Sequence, residues 1–169
     1  MTDDLSTAGP EQRDDRGFVL SAVRSSGVSI RYASDRLRAD AEVAHQAVRQ
    51  NGRALEYVAD DLRANRKVVL AAIGRWAIAL QFASPELRDD RDVVLKAVRK
   101  WGVAIKHASD RLRSDRELVL LATRRNSAAL KYASDELRAE LEGELHTGRQ
   151  LGTGAVTLAH EADKRDGTV

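Results

Sequence analysis

Residues 90–114 read DRDVVLKAVRKWGVAIKHASDRLRS, and the same pattern recurs without insertion or deletion at 15–39, 40–64, 65–89 and 115–139. Numbering each copy from 1 to 25 exposes the agreement. Position 8 is Ala in all five copies (Ala22, Ala47, Ala72, Ala97, Ala122), position 23 is Leu (Leu37, Leu62, Leu87, Leu112, Leu137) and position 24 is Arg (Arg38, Arg63, Arg88, Arg113, Arg138). A fixed period of this length is the signature of stacked supersecondary units, none of which can bury its apolar face alone.

Each unit divides into helix, turn, shorter helix and tight connector. In positions 1 to 12 the apolar residues fall at 4, 5, 6, 8 and 9, which cover one face at 100° per residue, while 3, 7 and 10 lie opposite. Asp or Asn at position 1 predicts the N-cap, and Ser114 followed by Glu117 has capping-box spacing. Position 13 is Gly27, Gly52 and Gly102, expected to end the helix in a left-handed conformation. Positions 14 to 20 then predict a second helix with 15, 16, 18 and 19 inward. Pro85 after Ser84 predicts that positions 20 to 24 form a separate short turn with Leu of position 23 tucked inward. The small Ala at position 8 predicts close helix–helix approach. The fold class is therefore all-α: a short α-solenoid of five 25-residue helix-turn-helix repeats over residues 15–139.

The flanks take their reading from this register. Residues 1–14 are an acidic segment and partial cap, because Gly9-Pro10-Glu11 sits where Ser84-Pro85-Glu86 sits in the third unit. Residues 140–151 are expected to form a C-terminal capping helix, with Leu141 and Leu145 covering the exposed end. Residues 152–169 read as a flexible tail. Departures from the pattern are Ala41, His45, Gly74 and Ser127.

At Asp90-Arg91 to Val98 and at Leu130 to Leu137 the chain resembles a bacterial tandem helical repeat family catalogued as domain of unknown function 4116. The resemblance covers residues 15–139. It implies tandem helical repeats and carries no catalytic or ligand residues to transfer.

Composition excludes several function classes. The chain of 169 residues has no Cys, so no disulfide framework, Cys-based zinc site or thiol nucleophile is available. No stretch is apolar enough to span a bilayer, and the first 20 residues lack the basic start and apolar run of a signal peptide. A cytoplasmic protein is expected. The excess of Arg over Lys suggests a GC-rich bacterial genome. No nucleophile–His–acid set and no Gly-rich phosphate loop is present, so no enzyme activity, cofactor or metal is expected. His45 and His107 lie two units apart, on the order of 20 Å, and cannot share a metal ion. Each reads as a tolerated or pH-sensitive core substitution. His146 and His160 have no partner spacing.

The charge is unevenly spread. Residues 15–139 carry 24 Lys and Arg against 16 Asp and Glu, whereas both ends are acidic. Positions 2, 10 and 24 are mostly Arg, and stacking turns each into a line of charges roughly 10 Å apart. For positions 2 and 24 the expected role is pairing with acids at positions 1 and 21 of the same or the next unit. Position 10 is less compensated, which makes Arg24, Arg49, Arg99 and Arg124 the first choice for a binding stripe. Trp76 and Trp101 share position 12 beside Arg75 and Lys100. They read as an interface hot spot or a base-stacking platform, or else as rings plugging the core, because position 12 falls on the apolar side of the wheel. Positions 11 and 12 vary most between units, and Arg125 is the last of the basic residues there. The expected partner is a protein or peptide along positions 10, 11 and 12. The alternatives are nucleic acid held by the Arg lines and a structural role in a larger assembly.

Overall fold

Aspartate or asparagine opens every long helix. In this computed structural model, which describes residues 4–151 and the side chains of 4–144, the side chains of Asp15, Asp40, Asn65, Asp90 and Asp115 accept hydrogen bonds from first-turn backbone N–H groups. The long helices are Arg16–Ser25, Ala41–Gln50, Arg66–Arg75, Arg91–Lys100 and Arg116–Arg125. In the fifth unit the cap is Asp115, which accepts from the Leu118 N–H at 3.0 Å. Ser114, expected to cap, instead donates from its hydroxyl to the Asp110 carbonyl. The described residues are helix and turn throughout, without strand.

The helix ends differ from expectation. Position 12, not 13, breaks the helix, and it does so in an extended conformation: Asn51 has φ −145° and ψ 114°, Trp101 φ −152° and ψ 107°. No glycine at position 13 adopts positive φ. The glycines serve close approach instead. A Cβ on Gly27 would lie 2.2 Å from the Ala47 carbonyl oxygen, one on Gly52 2.4 Å from that of Ala72, and one on Gly102 2.2 Å from that of Ala122. Position 13 of one unit thus presses on position 8 of the next, which explains why both residues are small.

The second helix of each unit is a 3-10 helix rather than the expected α-helix. It spans Gly27–Tyr32, Gly52–Glu56, Ala77–Phe82, Gly102–His107 and Ser127–Tyr132. The extended residue at position 12 accepts the first i→i+3 bond, as in Ala54 N–H to Asn51 C=O at 2.9 Å. So short a span between that kink and the next cap suits a tight 3-10 turn. Positions 16 and 19 are buried through most of the stack, and position 18 is half-buried. The short closing turn forms as expected at Asp35–Arg38, Asp60–Arg63, Pro85–Arg88 and Asp110–Arg113, each with a buried Leu at position 23. Ser34, Ser84 and Ser109 cap it.

The N-terminal segment is more of a unit than Gly9-Pro10-Glu11 alone indicates. Pro10–Arg13 is the short turn, while Leu5 and Ala8, both buried, hold positions 16 and 19 of a preceding partial unit. At the other end, Asp135–Leu151 is one continuous helix in a separate compact unit that begins at Ser134. Residues 140–151 therefore continue the last turn of the fifth copy and do not start a helix of their own. Leu141 is buried. The side chain of Leu145 and the segment 152–169 lie outside the described residues.

The core is aliphatic. Position 8 is at most 1% exposed in every copy, and positions 5 and 9 are buried in nearly all. Three substitutions check this packing in urea unfolding. Ala97→Leu is expected to cost about 1–3 kcal/mol by overpacking, whereas Lys96→Ala next to it, on the exposed side, costs little. Gly52→Ala is expected to destabilise similarly to Ala97→Leu although no φ constraint acts there; a neutral Gly52→Ala would contradict the close-approach account.

His107 gives a pH test. Burial, then Lys106 and Arg88, lower its pKa from 6.5 to about 4, and its Nε2 has no hydrogen-bond partner. The unfolded chain therefore takes the proton first. Stability carried by neutral His107 is complete above pH 6.5 and is lost as pH falls toward about 4. His107→Tyr, which installs the residue three other units have at position 18, is expected to flatten the fall in unfolding midpoint over that window. An unchanged pH profile would contradict the assignment.

Candidate functional site

The end of each long helix brings positions 10, 11 and 12 to the surface. Arg24, Arg49, Arg99 and Arg124 are all exposed, and so are Arg75, Lys100 and Arg125. Among the described residues no carboxylate pairs with Arg24, Arg49, Arg75, Arg124 or Arg125. Gly74 interrupts the line in the third unit. Lys100 reaches back across the junction there, and its Nζ donates to the Gly74 carbonyl at 2.7 Å. This places an ammonium at the C-terminal end of the helix Arg66–Arg75, where the backbone carbonyls favour a cation. Gln50 makes a comparable stitch in the second unit: its amide donates to the Ser25 carbonyl at 3.1 Å and accepts from the Gly27 N–H at 2.7 Å. Neither stitch is legible in the sequence, where variability at position 11 points only to a surface.

Trp101 does not plug the core, and Trp76 is only partly buried. The wheel places position 12 on the apolar side, but the chain has left the helix there and turned extended, so helical spacing no longer applies. Trp76 is half-buried, with its ring centroid 6.2 Å from that of Phe82. Trp101 is 37% exposed and is the one exposed large apolar side chain among the described residues. Both rings line a surface cleft of about 290 Å³ with Arg75, Ala77, Ile78 and Lys100. The arrangement offers an apolar seat with cations on its rim, which suits an apolar side chain flanked by acidic ones.

The other arginine lines are structural. At position 2, Arg16 binds Asp40 and Glu42 of the next unit, Arg66 binds Asp90 and Asp92, and Arg91 binds Asp115 and Glu117. Ala41 breaks the line, and the residues facing it, Asn65 and Lys67, have lost both acids. A second pairing joins position 25 to position 22 of the following unit. Asp14 accepts from Arg36 and Ser34, and Asp89 from Arg111 and Ser109. These contacts hold both carboxyls below their ordinary range, the serine hydroxyl contributing most and the arginine next. Position 24 pairs within its own turn, Arg38 with Asp35, Arg63 with Asp60, Arg113 with Asp110 and Arg138 with Asp135. Such exposed pairs each contribute roughly 0–1 kcal/mol and serve register more than strength.

Among the described residues no cluster of three or more His, Asp or Glu is placed to hold a metal ion, and no helix is long and apolar enough to cross a membrane. The four overlapping stretches 15–63, 40–88, 65–113 and 90–138, each one residue short of two units, match the family described as Domain of unknown function (DUF4116). No curated protein and no solved structure matches the chain. The matched stretches begin on unit boundaries and step by one unit, so the period, the helices and the match coincide: the chain belongs to the DUF4116 family of tandem helical repeats.

Proposed function

We propose that this protein is a non-catalytic helical-repeat scaffold that binds a protein partner through an acidic peptide segment along positions 10, 11 and 12. The observation that carries the reading is the cleft of Trp76, Ile78 and Trp101, rimmed by Arg75 and Lys100 and continued on either side by the exposed arginines of position 10. An apolar anchor with a cationic surround gives affinity at the centre and orientation at the edge. Nucleic acid is the weaker alternative, because acids already occupy most arginines of positions 2 and 24. A bacterial cytoplasmic setting accompanies this reading, supported by the lack of Cys in the sequence and the excess of Arg over Lys.

Fluorescence anisotropy tests it with a library of labelled acidic peptides carrying one aromatic or aliphatic anchor, alongside single- and double-stranded oligonucleotides. Peptide binding is expected, and Trp101→Ala is expected to weaken it by about 1–3 kcal/mol while leaving the unfolding midpoint nearly unchanged. Combined replacement of Arg24, Arg49, Arg99 and Arg124 by Gln is expected to slow association and reduce its salt dependence. Tight oligonucleotide binding that falls steeply with salt and depends on those arginines would replace this reading with the nucleic-acid one.

A further inference from the structure

Position 21 decides whether the arginine at position 24 is neutralised. Where position 21 is Asp, as at Asp35, Asp60 and Asp110, the arginine pairs within its own turn. Where it is Pro, at Pro10 and Pro85, that carboxylate is missing. The Arg13 guanidinium donates only to the Ser6 carbonyl, at 3.2 Å, and the Arg88 guanidinium makes no hydrogen bond or ion pair among the described residues. The Nε of every position-24 arginine from Arg13 to Arg113 is buried without an acceptor, so what sets Arg13 and Arg88 apart is the missing carboxylate at their outer nitrogens. Nearby Glu86 attracts Arg88 but forms no ion pair with it among the described residues.

The unit after each proline adds a second cation. Pro10, Arg13, Arg31, Tyr32, Ser34 and Arg38 line a surface notch of about 390 Å³. Arg31 lies over the Tyr32 ring, 4.4 Å from its centroid, and hydrogen-bonds the Tyr32 hydroxyl. Three units on, the same positions are Pro85, Arg88, Lys106, His107, Ser109 and Arg113. In each case the last arginine is ion-paired, with Asp35 or with Asp110, and the serine hydroxyl is held by Asp14 or Asp89. The notch therefore keeps two cations without an ion pair, Arg13 and Arg31, and the equivalent positions keep Arg88 and Lys106. The equivalent junctions after the first, second and fourth units have Asp at position 21.

We propose that this notch, Arg13–Arg31–Tyr32, and the equivalent set Arg88–Lys106–His107 are binding sites for a phosphate monoester dianion. Two uncompensated cations match a group that carries roughly −1.5 to −2 at neutral pH; a carboxylate would leave one of them unanswered. A guanidinium offers paired donors to the phosphate oxygens and the second cation closes the set. A phosphodiester, singly charged, matches less well, which separates these sites from a nucleic-acid track. Burial, then Lys106 and Arg88, suppress protonation of His107, and a ligand that offset those two charges would raise the His107 pKa. The proposal is independent of positions 10 to 12.

Amide NMR of the full chain at pH 7 tests it, with inorganic phosphate titrated against chloride at constant ionic strength. Two sets of resonances, Tyr32 with Ser34 and His107 with Ser109, are expected to shift saturably with phosphate and not with chloride. R13Q should weaken the first set at least tenfold and leave the second; R88Q should do the reverse, so each intact site reports that the variant is folded. P85D, which returns the missing carboxylate to Arg88, should weaken the second set alone. A phosphoserine peptide compared with its serine counterpart distinguishes a phosphorylated side chain from the free ion as the source: tighter binding than inorganic phosphate indicates the former, binding of inorganic phosphate alone the latter. Equal shifts with chloride, shifts that survive R13Q and R88Q, or equal response to a single-stranded oligonucleotide at matched phosphate concentration would overturn the proposal.

Discussion

One backbone contact organises the stack. At four successive junctions the carbonyl at position 24 accepts a hydrogen bond from the N–H at position 20 of the next unit: Arg13 from Ser34, Arg38 from Ala59, Arg63 from Ser84 and Arg88 from Ser109, all at 2.9–3.0 Å. No choice of side chain can replace it, and it forms only if the two units approach to a fixed distance. That requirement reaches across the unit to the other edge, where Gly27, Gly52 and Gly102 at position 13 meet the next position-8 carbonyl with no room for a Cβ. Small residues at 8 and 13 and a closing turn at 20–24 are thus consequences of one spacing. A unit removed from its neighbours loses both contacts and exposes its aliphatic face, which is why such units occur in arrays.

Electrostatics tune the junctions without making them. The junction between the third and fourth units carries both kinds of ion pair, Arg66 with Asp90 and Arg111 with Asp89. The junction between the second and third carries neither, since Ala41 faces Asn65 and Lys67 while Ala64 precedes Glu86 at position 22. It is nonetheless closely packed, with Gly52 against the Ala72 carbonyl and the Trp76 Cβ. Apolar burial and the backbone bond suffice, and the ion pairs fix which surface of one unit meets which of the next. The cations that the stack leaves without an ion pair among the described residues, the position-10 arginines Arg24, Arg49 and Arg124 on one surface and Arg13 and Arg88 on another, are then the ones available to a partner.

Much of this architecture is legible from residues alone. Period, register, burial of positions 5, 8, 9, 16 and 23 and the closing turn at Pro85 come from the spacing of apolar and cap residues. The 3-10 helix is not legible, because its inward positions 16 and 19 fit an α-helical reading equally well over so few residues. Glycine misleads for a related reason: sequence shows that a side chain is excluded, not whether φ or a neighbouring carbonyl excludes it. Trp101 illustrates the same limit at the candidate site, since its wheel angle assumes a helix that in fact ends one residue earlier. The pairing of Arg16 with Asp40 and Glu42, by contrast, can be found by reading across units, because the loss of arginine at Ala41 coincides with the loss of both acids at Asn65 and Lys67.

Native-state hydrogen exchange of the full chain, resolved at Ser34, Ala59, Ser84 and Ser109, addresses the central contact most directly. These amides lie in connectors, outside the long helices, and only the bond to the preceding unit protects them. All four are expected to exchange as slowly as interior amides of the long helices, such as those of Val48 and Val98. Exchange at the rate of an open loop, with the long helices still protected, would contradict the stacking described.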